Sequence, residues 1–358
     1  MLSRRRFLGG AGTALLGLGY ARLGRTGPLE GLTDGSITHD MVTPPTQEAI
    51  EQGLDYLVRS QHADGSFGTG QHNGNVAITS LAALALMAGG YQAGRGPRGK
   101  AVLSALEFVL SQEEGHRGYL YNRAATPHGP MYGHGFGTLF LAEIYGMVHG
   151  KDLRERLRGT LKRAVELIIA SQNAKGGWRY HPESTDADIS VTICQIMALR
   201  SARNAGLAVP KSTVDRCIQY VKSCQEPEGG FRYMDHLGAA AFARTAAGVV
   251  ALYSAGIYQD AAVEKGLKYL MRFKPKQDTV RPDMHYFYGH YYAAQAMWTA
   301  GGAYWSDWYP AIRDELISRT RRLRYDGSWT DAICPHYGTA MACIILQIPN
   351  NYLPILQK

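Results

Sequence analysis

One unit recurs six times along this chain, and its best copy runs from Leu161 to Gly206. It opens LKRAVELIIASQ, where Ala164, Leu167, Ile168 and Ser171 recur at helical spacing. It turns at Gly176-Gly177-Trp178 and closes on ISVTICQIMALRSARNAG, which is apolar on most of its sides. A helix with one apolar stripe lies on a surface; one apolar nearly all round is buried. Each unit therefore reads as an outer helix, a glycine-aromatic turn and an inner helix.

The other copies are poorer. Outer helices ending at Gln61, Gln112 and Gln225 are followed by Gly65-Ser66-Phe67, Gly118-Tyr119 and Gly229-Gly230-Phe231. The fifth, AVEKGLKYLMRF, has no such turn, and the sixth regains it as Gly327-Ser328-Trp329. The glutamines lie 51, 60 and 53 residues apart. A period of that size means stacked supersecondary units, each needing neighbours to bury its face. The pattern predicts inner helices at Val76–Gly89, Gly135–His149, Ile189–Gly206, Ala239–Gly256, Tyr286–Gly301 and Tyr337–Gln347. Six pairs close naturally into an all-α double ring, an (α/α)6 toroid; the alternative is an open solenoid. In a ring, the six inner N-termini with their free N–H groups converge on one mouth.

A length of 358 residues, 45% of them hydrophobic, suffices for such a core. The formal charge of +8 is concentrated at the start: residues 1–26 hold five arginines and no acid, leaving 33 bases against 30 acids elsewhere. No nucleic-acid partner is inferred from it. Five cysteines form no disulfide framework, and Cys217 and Cys224, seven apart on one helix, are too distant to pair. Arg4-Arg5-Arg6-Phe7-Leu8, followed by a mild Gly/Ala-rich run, resembles a twin-arginine export signal over residues 1–26. The run is too short and glycine-rich for a comfortable membrane span. The expected organisation is a signal at 1–26, a linker at 27–45, the toroid at 46–347 and a C-terminal latch at 348–358, in an exported, extracytoplasmic protein.

The Gln…Gly-Gly-aromatic turns and six helix pairs resemble the squalene/oxidosqualene cyclase and protein prenyltransferase superfamily, over roughly residues 46–347. That resemblance implies an α/α toroid holding a small apolar, isoprenoid-like ligand in a central cavity. Asp186-Ala187-Asp188 resembles the D-x-D-D-T motif by which cyclases protonate an alkene, with Asp188 at the donor position and Asp186 at the first. Ile189 departs from the motif at the fourth position. The bland reading is a helix cap at Asp186 and a first-turn acid at Asp188. Asp283, His285 and His336 resemble the zinc set of protein prenyltransferases, with His285 standing where the family has Cys. The resemblance implies zinc as one cofactor such a set could hold; helix caps and cavity wall are the other reading. The run from His285 to Trp298 is dense in aromatics. Tyr288, Tyr291, Tyr292 and Trp298 are candidates for lining the lumen, where ring faces would stabilise a cation or hold an apolar chain. His290 is a further catalytic candidate, and Arg244 and His134 are candidates at the mouth. Two rival functions stand beside a cyclase or transferase: a non-catalytic ligand- or protein-binding toroid, and a polysaccharide lyase or hydrolase on the same architecture.

Overall fold

The computed structural model describes residues 41–115, 117–125, 127, 129–275, 285–323 and 325–357. The expected export signal and most of the expected linker lie outside the described residues. Within them, six outer helices alternate with six inner ones. The outer set is α1 (Pro44–Ser60), α3 (Gly96–Ser111), α5 (Lys151–Ala170), α7 (Lys211–Ser223), α9 (Ala261–Met271) and α11 (Gly302–Leu323). The inner set is α2 (Val76–Ala88), α4 (Pro130–Ile144), α6 (Ile189–Asn204), α8 (Phe242–Ser254), α10 (Tyr286–Ala300) and α12 (Pro335–Gln347). Two short antiparallel strands, β1 (Glu113–Glu114) and β2 (Tyr119–Leu120), frame the second turn.

Burial separates the two rings. Helix α1 buries only a stripe that includes Ile50, Leu54 and Leu57, whereas α2 buries every residue except Ala77. Each fully buried leucine of α2 contributes roughly 1.5–3 kcal/mol, so the inner ring carries most of the hydrophobic stabilisation. Small residues set its tightness: a Cβ on Gly135 of α4 would fall 2.8 Å from the Cβ of Cys194 on α6. The inner helices pack α2 on α4, α4 on α6, α6 on α8, α8 on α10, α10 on α12, and α12 back on α2. Helix α11 likewise meets α1. The ring is closed, and the open solenoid is excluded.

The turns explain the closure. Gly176 has φ +97°, and a Cβ there would lie 2.3 Å from the carbonyl oxygen of Arg216 on the next outer helix, α7. Only glycine combines that backbone with that approach. Gly65, Gly118 and Gly229 lean in the same way on α3, α5 and α9. Gly327 (φ +81°) leans on Gln52 of α1, so the seam between last and first unit uses the same joint. Gln172 Nε2 donates to Gly176 O at 2.7 Å and to Thr213 O on α7 at 2.9 Å. Gln61 and Gln225 repeat this. Gln112 does not; there Glu113 takes the Gly118 N–H and ion-pairs with Arg163. The turn aromatic is held from the inner ring: the N–H groups of Phe67, Trp178, Phe231 and Trp329 donate to Thr79, Thr192, Thr245 and Thr339.

One expected boundary changes. Helix α4 starts at Pro130 and ends at Ile144, because Gly133, Gly135 and Gly137 serve close packing and not a turn. All five cysteines are buried and free. The C-terminal segment reaches unit one, where Tyr352 packs over Gly90, as a latch would. It then continues across the base of the ring. There the Ile355 N–H donates to Glu143 of α4 at 3.0 Å, and Trp298 Nε1 of α10 donates to Leu356 O at 2.8 Å.

Candidate functional site at the inner-helix mouth

The inner helices share one direction. At one end Tyr288 of α10 reaches Ser190 O of α6 (3.4 Å), and Tyr132 of α4 faces Asp188 and Tyr288. At the other end Glu143, Ser201 and Trp298 meet the C-terminal tail or one another. The starting ends therefore gather at one mouth.

Asp188 sits at that mouth as the N-cap of α6, fully buried. Its Oδ1 accepts from the N–H groups of Ser190 (2.8 Å) and Val191 (2.9 Å). This corrects the bland sequence reading, which gave the cap to Asp186. The surrounding chain is pinned: Asp188 N–H donates to Trp178 O, Ile189 N–H to Tyr233 O, and Tyr220 hydroxyl to Ala187 O. Asp188 Oδ2 has no hydrogen-bond partner, and Arg179 Nε stands 3.6 Å from it. Burial pushes the carboxyl up to about 6, against the cap N–H of Val191 and the Arg179 charge, which pull it down. A buried acid with one locked oxygen and one bare oxygen can carry its proton at that bare oxygen. Asp186 is half exposed and contributes indirectly, through Arg179 Nη1 at 3.4 Å.

The aromatic candidates divide. Tyr288 keeps some accessible surface beside Asp188, and its ring meets Tyr292 edge-on at 4.9 Å. Tyr291 meets Phe136 of α4 from across the ring, and the Tyr292 hydroxyl lies 3.5 Å from Cys194 Sγ of α6. Tyr291 and Tyr292 are buried between the inner helices, and Tyr337 of α12 lies near Tyr291. Trp298 is not among them; it lies at the base, bonded to the tail. Arg244 is at the rim, donating to Ala239 O and covering the Tyr233 ring at 5.3 Å.

The histidines serve the frame. His134 stands where the other inner helices carry threonine: its Nδ1 accepts from Leu120 N–H and its Nε2 donates to Ala164 O. Burial drops its pKa to about 4, so the ring is neutral. It is not a ligand contact at the mouth. His290 occupies the same register in unit five and packs among Phe242, Tyr286 and Trp308, toward the outer ring and away from Asp188. His336 is bonded through both ring nitrogens, to Gly68 N–H and the Ser60 hydroxyl. His285 is exposed, and Asp283 lies outside the described residues. Both His336 nitrogens are engaged in this way, and among the described residues, which do not include Asp283, no group of three His, Cys, Asp or Glu is placed for a metal.

Residues missed by sequence reasoning complete the mouth: Arg179, Tyr180 and Tyr233. The Tyr180 and Tyr233 hydroxyls are 2.5 Å apart, and Arg179 lies over both rings, at 4.7 and 5.4 Å. The signal was present, since Gly-Gly-Trp-Arg-Tyr at 176–180 and Gly-Gly-Phe-Arg-Tyr at 229–233 are the same motif one unit apart. A separate cleft of about 530 Å³ opens on the rim beside Glu114, Tyr119, Tyr121, Arg123, His181 and Glu183.

The profile of the prenyltransferase alpha-alpha toroid domain matches residues 36–118 and 139–279. Drimenyl diphosphate synthase of Streptomyces showdoensis is 28% identical over 188 residues, 51% of this chain and 32% of the relative, so the match spans about a third of that enzyme's length. Among solved structures, type II terpene cyclase MstE from Scytonema superposes with a TM-score of 0.58 at 12% identity, covering 87% of this chain and 100% of its own. Cellobiose 2-epimerase from Bacillus thermoamylovorans gives a TM-score of 0.62 at 11% identity over 88% of this chain and 99% of its own. At such identities these two likenesses concern the fold alone.

Proposed function

The chain belongs to the prenyltransferase alpha-alpha toroid family, and on that premise we propose that it binds an isoprenoid-like chain at the inner-helix mouth and protonates it there. The observation that carries this reading is Asp188, a fully buried acid with one bare oxygen and with Tyr132 and Tyr288 close by. An alkene laid against Oδ2 takes the proton: its π electrons form the new C–H bond, and the O–H electrons return to the carboxylate. The carboxylate left behind is stabilised by the Ser190 and Val191 N–H groups and by Arg179. The ring faces of Tyr132, Tyr288 and Tyr337 supply cation–π attraction to the carbocation. Ile189 occupies the place of the cyclase motif's last acid; in this chain Arg179 is the charged neighbour of Asp188. The drimenyl diphosphate synthase match supports the substrate class; MstE, solved with geranylgeranyl dihydroxybenzoate as substrate, shows that the same fold can hold such a chain.

The test is incubation with geranylgeranyl diphosphate and with squalene, with products read by gas chromatography and mass spectrometry. Cyclised product from the wild type and none from Asp188→Asn supports the reading. Equal turnover by the variant sinks it. Mass spectrometry of what co-purifies with the protein addresses ligand binding without catalysis. A saccharide-active toroid is the second reading, favoured by the rim cleft that holds Glu114 and Glu183. It is the weaker one, because Glu114 is already tied to Arg123 and Tyr121. Export through the twin-arginine route is part of the proposal, and a lysine pair at Arg4-Arg5 should abolish periplasmic recovery. Among the described residues no helix is long and apolar enough to cross a membrane.

A further inference from the structure

We propose that the C-terminal segment is a proton-operated strap, which docks across the base of the ring in acid and lets go as the pH rises, with Glu143 of α4 as the group that takes up the proton. The strap starts at Asn351, whose φ of +54° is the one left-handed non-glycine backbone among the described residues. Gln357 Nε2 donates to Asn351 O at 3.1 Å and closes the segment into a loop. The loop is held to the base at few points. Leu353 and Leu356 are buried, and Trp298 Nε1 of α10 donates to Leu356 O at 2.8 Å. The Ile355 N–H donates to Glu143 Oε2 at 3.0 Å.

Glu143 is an unusual anchor. It is 4% exposed, and among the described residues it has no basic partner. Its two donors are the Ser201 hydroxyl on α6 and the Ile355 N–H of the strap. Arg200, also on α6, spends its guanidinium on Tyr253 O at 2.9 Å and on the Tyr258 hydroxyl. Helix α10 presents Tyr291, a phenol held neutral by burial. Helix α2 has no titratable residue, and α5 buries only Thr160 and apolar side chains. The turn after α4 brings Tyr145, and β2 meets α4 at its far end, beside His134. A covered carboxylate with no cation is costly as the anion. Burial pushes the Glu143 carboxyl up to about 7, while the Ser201 and Ile355 donors pull it down. The neutral acid still accepts from Ile355 N–H at its carbonyl oxygen. With the strap off, Oε2 meets water and the group returns toward 4.5. Docking therefore takes up a proton. Below about pH 4.5 both states are protonated and the strap holds best. Between about 4.5 and 7 only the docked state keeps its proton, and docking weakens about tenfold per pH unit, on the order of a hundredfold in all. Above about 7 both states are ionised and the loss levels off.

Amide hydrogen exchange in the full chain, read by mass spectrometry from pH 4.5 to 8 and corrected for the intrinsic rate, measures docking directly. Protection of residues 352–357 is expected to fall at least tenfold between pH 5 and 7, while the amides of α12 stay protected. Glu143→Gln offers Ile355 N–H an acceptor and Ser201 a donor without a charge. Its strap is expected to hold at pH 7 as the wild type's does at pH 5, whereas a merely structural carboxylate would leave the variant looser at every pH. Flat protection in the wild type, or a pH dependence that survives in Glu143→Gln, overturns the strap. So does loss of protection in α12 together with the tail, because the opening would then be global. If the variant fails to fold, tryptophan emission of the wild type decides. It should move to the red over the same pH range as Trp298 loses Leu356 O, and emission that does not move overturns the proposal.

Discussion

At the residue scale, four buried titratable groups pull stability in opposite directions with pH. The carboxyls of Asp188 and Glu143 are raised by burial, to about 6 and about 7. The folded chain therefore binds protons more tightly than the unfolded one, and stability falls as pH rises through those windows. The rings of His134 and His336 are lowered by burial to about 4, so stability instead falls as pH drops from about 6.5 toward 4. Asparagine at 188 can still cap α6 while removing the buried charge. Asp188→Asn is thus expected to raise stability at pH 7 by roughly 1–3 kcal/mol and to flatten the decline between pH 4 and 6, read by urea titrations across pH. The opposite outcome, a loss at pH 7, would show that the ionised carboxylate is the favoured form in the fold. His134→Leu leaves Leu120 N–H and Ala164 C=O without their partner and is expected to cost about 2–5 kcal/mol in the same assay.

At the scale of the element, the glycine turn is the joint on which the units depend. Gly327→Ala forces a β-carbon toward the Gln52 carbonyl from a left-handed backbone, and should lower stability by roughly 2–4 kcal/mol in thermal unfolding. The architecture was legible because this joint leaves a mark in the sequence: a glycine, an aromatic and a helix apolar on all sides. The division of labour among the polar residues was not. His134 and His290 looked like site residues because a buried histidine in an inner helix has no propensity-based explanation. In fact His134 replaces the threonine that elsewhere holds the turn, and only the register against Thr79, Thr192, Thr245 and Thr339 reveals it. Asp188 caps the third inner helix, and its surroundings come from units three and four together. The Tyr180–Tyr233 contact joins residues 53 positions apart, and helical periodicity carries no information about such a pair.

For the whole molecule, the two ends of the ring are treated differently. The mouth holds the acid, and the base is crossed by the C-terminal tail, which buries Leu353 and Leu356. Removing residues 351–358 exposes the floor and strips Trp298 Nε1 and Glu143 of their tail partners. Each leucine accounts for roughly 1.5–3 kcal/mol, so the shortened chain should melt several degrees lower, with tryptophan emission shifted to the red. Unchanged melting and emission would mean that the tail merely rests on the ring. The joint at Gly327 has one more consequence. Since unit six leans on unit one as units one to four lean on their successors, the seam is built like the other joints of the circle. A gene reordered to begin at Lys151 and to run through a linker from the tail into Met41 should yield the same round of helices, with Asp188 set in its place.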